Sequence, residues 1–100
     1  MTKVFFTREA ERDLEEIGDF IAADNPARAI SFIREIRDRC AKIAESPLAY
    51  PARPELGDRR RSCAHGRYIL FFQPTDAHIL IVRILHGSRD LARVLADDLN

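Results

Sequence analysis

The chain has 100 residues, 16 of them basic and 16 acidic, for a formal net charge of zero with histidine neutral. That length suits one domain with one modest core, and the charge balance argues against a protein that holds nucleic acid mainly through its phosphates, which needs a basic excess. No apolar run nears the roughly 18 residues of a membrane span, and the ordinary apolar content, without low-complexity stretches, excludes a disordered chain.

Val4-Phe5-Phe6 reads as a short opening strand, followed directly by a charged helix, so no secretory leader is expected. Thr7 is the predicted N-cap. The helix runs to about Ala23, with Ala10, Leu14, Ile17 and Ile21 as its buried stripe and Phe20 widening it. Asp24-Asn25-Pro26 ends it and starts a second helix, capped by Asn25 with Pro26 at the first helical position. That helix reaches about Glu45. Ala29, Phe32, Ile33, Ile36, Cys40, Ile43 and Ala44 form its apolar face, and Arg34–Asp38 and Glu35–Arg39 stand four apart as candidate surface pairs. So short a connection makes the helices antiparallel neighbours. Gly18 fits either a close approach of the helix backbones or a tolerated glycine costing about 1 kcal/mol.

Ser46-Pro47 closes the hairpin, and Pro47, Pro51 and Pro54 keep the chain extended to Leu56-Gly57-Asp58. Arg59 to His65 reads as a polar strand near a sheet edge, and Gly66 as a hairpin turn. Tyr68 to Phe72 and Ile79 to Leu85 are the strongest strands, joined through Pro74-Thr75-Asp76-Ala77. Arg89 to Leu99 is predicted as a short terminal helix with Ser88 as cap and Leu91, Val94, Leu95 and Leu99 on its apolar side. The order gives an α+β domain spanning residues 1–100, with a helical hairpin on one face of a curved antiparallel sheet. Strict alternation places Ile79, Ile81 and Leu85 on one face of the last strand and Leu80, Val82 and Ile84 on the other. The hairpin covers one face, the terminal helix is a poor lid for the other, and apolar surface is left for another chain.

Arg83, His86, Arg89 and Asp90 gather where the last strand ends, and Arg67 opens the neighbouring strand at the same end. Such a group can bind a phosphate or transfer a proton. The structural alternative, which is preferred, has Asp90 pairing with an Arg to fix the strand exit while His86 packs or caps. Residues 1–24 carry seven acids against three bases, whereas 53–67 carry five Arg against two acids. The Arg59-Arg60-Arg61 run fits contact with nucleic acid or an acidic partner, or an edge charged against aggregation, with Arg60 pointing away from its neighbours on a strand. Cys40 lies on a buried stripe. Cys63 has Arg and His neighbours that would lower a thiol pKa, but no base beside it is legible. His65 and His78 lack ligand spacing and are read as surface residues. The two Cys have no metal spacing and suit a reducing, cytoplasmic setting; no metal or cofactor is expected.

The chain resembles the ParE toxins of the RelE/ParE superfamily of type II toxin–antitoxin systems. The resemblance runs through Phe6-Thr7, Ala10, Asp13-Leu14, Ile17 and Ile21-Ala22; Asn25-Pro26 with Ala29 and Phe32; Ser46-Pro47; Arg67-Tyr68; and, most distinctively, Val82 to Asp90. It implies two antiparallel helices on a curved sheet. It also implies a toxin that poisons DNA gyrase by trapping the cleaved DNA complex, without being an enzyme itself, and a ParD-like antitoxin whose tail folds along it. Arg67, Arg83, His86, Arg89 and Asp90 are then the target-contact candidates, and Ile79, Leu80, Ile81, Val82, Leu91, Val94 and Leu95 the antitoxin-contact candidates. The RelE branch shares the fold and cuts mRNA on the ribosome. Here only Lys3 and Lys42 are lysines, and the zero net charge disfavours ribosomal RNA, so gyrase ranks first. A toxin-like domain that only binds its antitoxin is the third reading. Neither sequence-specific nucleic-acid binding nor a membrane is expected.

Overall fold

In the structure, a computed structural model describing residues 2–88, strand β1 (Lys3–Phe6) hands directly to helix α1 (Arg8–Asp24) through Thr7. Thr7 is extended, and its Oγ1 accepts the Ala10 amide at 3.0 Å, satisfying one of the donors a helix start leaves unpaired. Glu9 and Glu11 lie in the first turn, where the helix dipole favours them. Asn25 serves both helices. Its amide donates to the Ile21 carbonyl, and its side chain accepts the Arg28 amide at 3.0 Å to cap α2 (Pro26–Glu45). One residue between helices forces the antiparallel hairpin that the sequence predicts.

The hairpin closes tightly at Gly18. A Cβ there would stand 3.1 Å from Ile33 Cδ1, so the glycine marks close helix packing rather than a tolerated defect. The α1 stripe buries Ala10, Asp13, Leu14, Ile17 and Gly18, whereas Phe20 is 75% exposed and does not widen it. On α2, Ala29, Phe32, Ile36, Cys40 and Ile43 are buried. Its outer charges pair differently from the expected four-residue spacing. Glu35 binds Arg28, seven residues back, at 2.6 Å, and His65 at 3.0 Å. Arg28, then His65, hold the Glu35 carboxyl below its ordinary pKa. His65, packed edge-on against Phe32, is therefore half-buried and ties a strand to α2 rather than lying on the surface.

Strands β2 (Arg61–His65), β3 (Tyr68–Pro74) and β4 (His78–His86) form an antiparallel meander, and β1 adds to β4 in parallel, in the order β1-β4-β3-β2. Parallel pairing is available to β1 because the whole hairpin lies between it and the meander. Gly66, at φ 59°, makes the β2–β3 turn. Strict alternation fails on β4. Phe71 pairs with Arg83 and Phe72 with Ile81, leaving Val82 as the extra residue of a bulge. The bulge exchanges the faces beyond it. Ile84 joins Ile79 and Ile81 in the main core under the hairpin, with Leu70, Phe72 and Cys63. Leu85 turns to the opposite face, packing with Phe71, Leu56 and Ile69. That face is partly covered by the chain itself: a short 3-10 turn at Pro54–Leu56 lays Leu56 on it, and the Arg53 guanidinium stands 5.8 Å from the Phe71 ring centre. The predicted terminal helix lies outside the described residues.

β3 flanks β4 as far as His86, but on the other side β1 ends opposite Ile81, and from there α1 takes the strand's place. The Thr7 hydroxyl donates to the Val82 carbonyl at 2.7 Å. Six residues later, Asp13 Oδ2 accepts the Ile84 amide at 3.0 Å. The same carboxylate grips Arg83 side-on, with Nε at 2.6 Å and Nη2 at 2.9 Å. The two side chains are only 8% and 12% exposed. A bidentate, charge-assisted pair also satisfying a backbone amide meets the condition under which a buried ion pair offsets its desolvation.

Two stability outcomes follow in chemical denaturation. Asp13→Ala takes the bidentate carboxylate from Arg83 and the acceptor from the Ile84 amide and should cost about 3–5 kcal/mol, while the double change with Arg83→Met recovers much of that loss; simply additive costs would contradict the pairing. Gly18→Ala should be near neutral, since the gain of about 1 kcal/mol in helix propensity meets the tight Ile33 contact. Gly18→Leu should cost about 1–3 kcal/mol by overpacking.

Candidate functional site

Where α1 crosses the far end of β4, the two elements do not close against each other. A groove of about 660 Å³ remains, walled on the helix side by Asp13, Glu16, Ile17 and Phe20 and on the sheet side by Arg67, Tyr68, Ile84, Leu85 and His86. Its geometry follows from the elements above. The Asp13 anchor holds α1 over Ile84, the bulge turns Leu85 outward, and the tight β2–β3 turn delivers Arg67 beside the strand end. The Gly87 amide donates to the Arg67 carbonyl at 2.8 Å, fixing the two chain segments together.

Arg67 is exposed at that turn and reaches the same groove as His86, as the strand pairing predicts. Tyr68 pairs with His86 across the ladder, and their rings meet edge-on at 5.3 Å. His86 Nδ1 accepts the Ser88 amide at 3.1 Å and lies 2.6 Å from the Ser88 hydroxyl. That bond assigns the ring proton to Nε2 in the neutral imidazole. His86 thus caps the strand exit, the structural role weighed for it. Arg83 is held by Asp13, an acid supplied by α1. Asp13 carries no signal of that role in the sequence beyond being an acid on an apolar stripe. Arg89 and Asp90 lie outside the described residues.

The apolar candidates separate sharply. Ile79 and Ile81 are 1% and 0% exposed in the core beneath the hairpin, so no partner reaches their side chains without opening the domain. Val82 is buried at the bulge, its carbonyl occupied by Thr7. Leu80 is half-buried and pairs across β1 with Phe5, itself half exposed. Leu91, Val94 and Leu95 lie outside the described residues. The residue missed from sequence is Phe20, a large exposed aromatic on the groove wall. Its position beside Glu16, on the flank of the stripe rather than its centre, is the available signal.

The remaining reactive side chains do not form a site. Cys40 and Cys63 are both buried. Burial pushes the Cys40 thiol up to about 12 and raises Cys63 as well, so the Cys63 neighbourhood does not activate it. No cluster of three or more metal-ligating side chains occurs among the described residues, and no helix among them is long and apolar enough to cross a membrane.

Comparison with known proteins gives four further findings. No curated protein matches the sequence significantly. A chain of the chromosomal ParDE TA system from P. aeruginosa aligns with a TM-score of 0.72 at 21% identity, covering 86% of this chain and 96% of that one. A chain of the toxin–antitoxin complex RelBE2 from Mycobacterium tuberculosis gives 0.62 at 26% identity, covering 85% and 96%. The family model for the ParE toxin of the type II toxin-antitoxin system, parDE, matches residues 4–91, a span that includes the hairpin, the whole sheet and both walls of the groove. This chain belongs to the ParE toxin family.

Proposed function

We propose that this chain is the toxin of a type II module, that it acts by trapping the cleaved complex of DNA gyrase, and that a ParD-like antitoxin neutralises it by laying a tail in the groove between α1 and the end of β4. The observation that carries the antitoxin site is Phe20. A ring 75% exposed on the same groove wall as Ile17 is apolar surface with no cover among the described residues. An amphipathic segment that orders on binding is the partner such a groove suits. The two toxin–antitoxin complexes among the structural neighbours agree with a partner of that kind.

Gyrase is favoured over the ribosome by charge and by the state of Arg83. A ribonuclease site needs cations free to face the scissile phosphate, and here Arg83 is committed to Asp13. The whole chain carries no net positive charge to draw it to ribosomal RNA. The ribonuclease reading keeps one observation in its favour, the juxtaposition of Arg67, Tyr68 and His86 around the groove.

One paired assay separates these activities. In a supercoiling reaction with gyrase and ATP, purified toxin should accumulate linear plasmid after detergent and protease treatment. In a coupled translation reaction it should leave mRNA intact. Codon-dependent mRNA fragments would establish the ribonuclease, and silence in both assays with antitoxin still bound would leave a binding domain alone. For the antitoxin groove, Phe20→Asp should leave stability within about 0.5 kcal/mol, as expected of an exposed site. It should weaken antitoxin binding at least about tenfold, equivalent to about 1.4 kcal/mol. Unchanged affinity in calorimetry would place the antitoxin elsewhere.

A further inference from the structure

Among the described residues Arg59 is the one residue other than glycine with a left-handed backbone, at φ 63°. An L-residue there carries strain that glycine would relieve. The turn therefore does not explain why an arginine occupies the position. Internal contacts do not explain it either, since its exposed side chain has no hydrogen bond or ion pair to another described residue. Strain held without internal compensation points to a use outside the chain.

The neighbouring arginines likewise have no carboxylate partner among the described residues. Arg61 gives Nη1 to the Tyr50 carbonyl at 2.7 Å. Arg60 Nη1 is buried with no hydrogen-bond partner there. Contrary to the strand expectation, Arg59 belongs to the turn before β2, but it still lines one groove together with Arg61. That groove holds about 380 Å³ and is completed by Pro47, Leu48, Pro74, Thr75 and Asp76. Leu48 is 72% exposed.

The chemistry selects the occupant. Unpaired guanidinium groups in a chain of zero net charge, whose acids concentrate in residues 1–24, call for carboxylates or phosphates. The exposed leucine and two prolines call for aliphatic side chains. The lining holds no aromatic ring on which a base could stack, and its apolar side chains offer a nucleic acid nothing to bond. An acidic, aliphatic peptide satisfies all of these features.

We propose that this groove holds a second stretch of the antitoxin, its carboxylates meeting Arg59 and Arg61 and an aliphatic side chain resting on Leu48 and Pro74. The inference rests on the antitoxin reading above. The two grooves lie at opposite ends of β3, one by Tyr68 and the other by Pro74. A tail joining them spans on the order of 20 Å, about six extended residues. The second contact is then intramolecular and slows release more than either contact alone.

The test compares wild-type toxin with Arg59→Gly and Arg59→Glu, measuring release of the antitoxin encoded beside the toxin gene by biolayer interferometry. Arg59→Gly suits the left-handed backbone, so it should melt no lower than wild type while releasing antitoxin at least tenfold faster. Arg59→Glu should release faster still, and the difference from wild type should shrink in high salt. Release at the wild-type rate from both variants overturns this inference and leaves the antitoxin reading standing; no antitoxin binding by wild type sinks both. A 20-base-pair DNA duplex is titrated in parallel. Duplex binding that depends on Arg59, with antitoxin release unchanged, would assign the groove to nucleic acid instead. An Arg59-dependent change in the toxin's own sedimentation, again without an effect on release, would assign it to a second copy.

Discussion

The Asp13 carboxylate is the point on which the rest of the domain turns. β1 is too short to flank the whole of β4, and an open sheet edge is a liability in any small α+β domain. α1 resolves this by side-chain chemistry. Thr7 supplies the donor and Asp13 the acceptor that a longer strand would have presented, and the same carboxylate neutralises Arg83. The helix is thereby fixed over the sheet at one angle. A helix standing in for a strand cannot fill the space a strand fills, and the groove beyond Asp13 is the geometric remainder.

The bulge at Val82 works with that anchor. By shifting the alternation it lets Ile79, Ile81 and Ile84 all point at the hairpin, although the intervals between them differ. It turns Leu85 to the far face, where the proline-rich connector supplies a cover. The connector is itself stitched to the edge strand, with the Ser62 amide donating to the Pro51 carbonyl and the Arg53 amide to the Arg60 carbonyl. The uncovered apolar surface is thus smaller and more localised than an open sheet face. Among the described residues it consists of a few exposed side chains, of which Phe20 and Leu48 each stand beside a groove. Localised grooves of this sort suit an extended or helical tail better than a flat domain interface.

Much of this was legible from the residues because its causes are local. Thr7, Asn25 and Pro26 mark helix ends through their own hydrogen-bonding and ring geometry, and both helices begin where those residues place them. The strong strands and the Gly66 turn follow from period and backbone freedom. What escaped prediction depends on distant partners. Asp13 meets Arg83 across 70 positions, and His65 meets Glu35 across 30, so no spacing rule reveals either. The bulge inverts a face assignment that alternation makes with equal force for either register. It moved Ile84 into the main core with Ile79 and Ile81, and those last two, expected to meet a partner, lie buried within the fold. Phe20 is misread from sequence because a helical stripe has no sharp border. Whether the ring at its flank is buried depends on how far the neighbouring strand extends.

The central claim, that a partner completes the domain at the space α1 leaves beside β4, is tested most directly by hydrogen–deuterium exchange on the toxin alone and in its antitoxin complex. The account predicts new protection in the peptides spanning residues 16–20 and 84–88, with the amides of 79–81 already slow in the free protein and changed little. Protection confined to other surfaces, with 16–20 and 84–88 exchanging as in the free toxin, would contradict it.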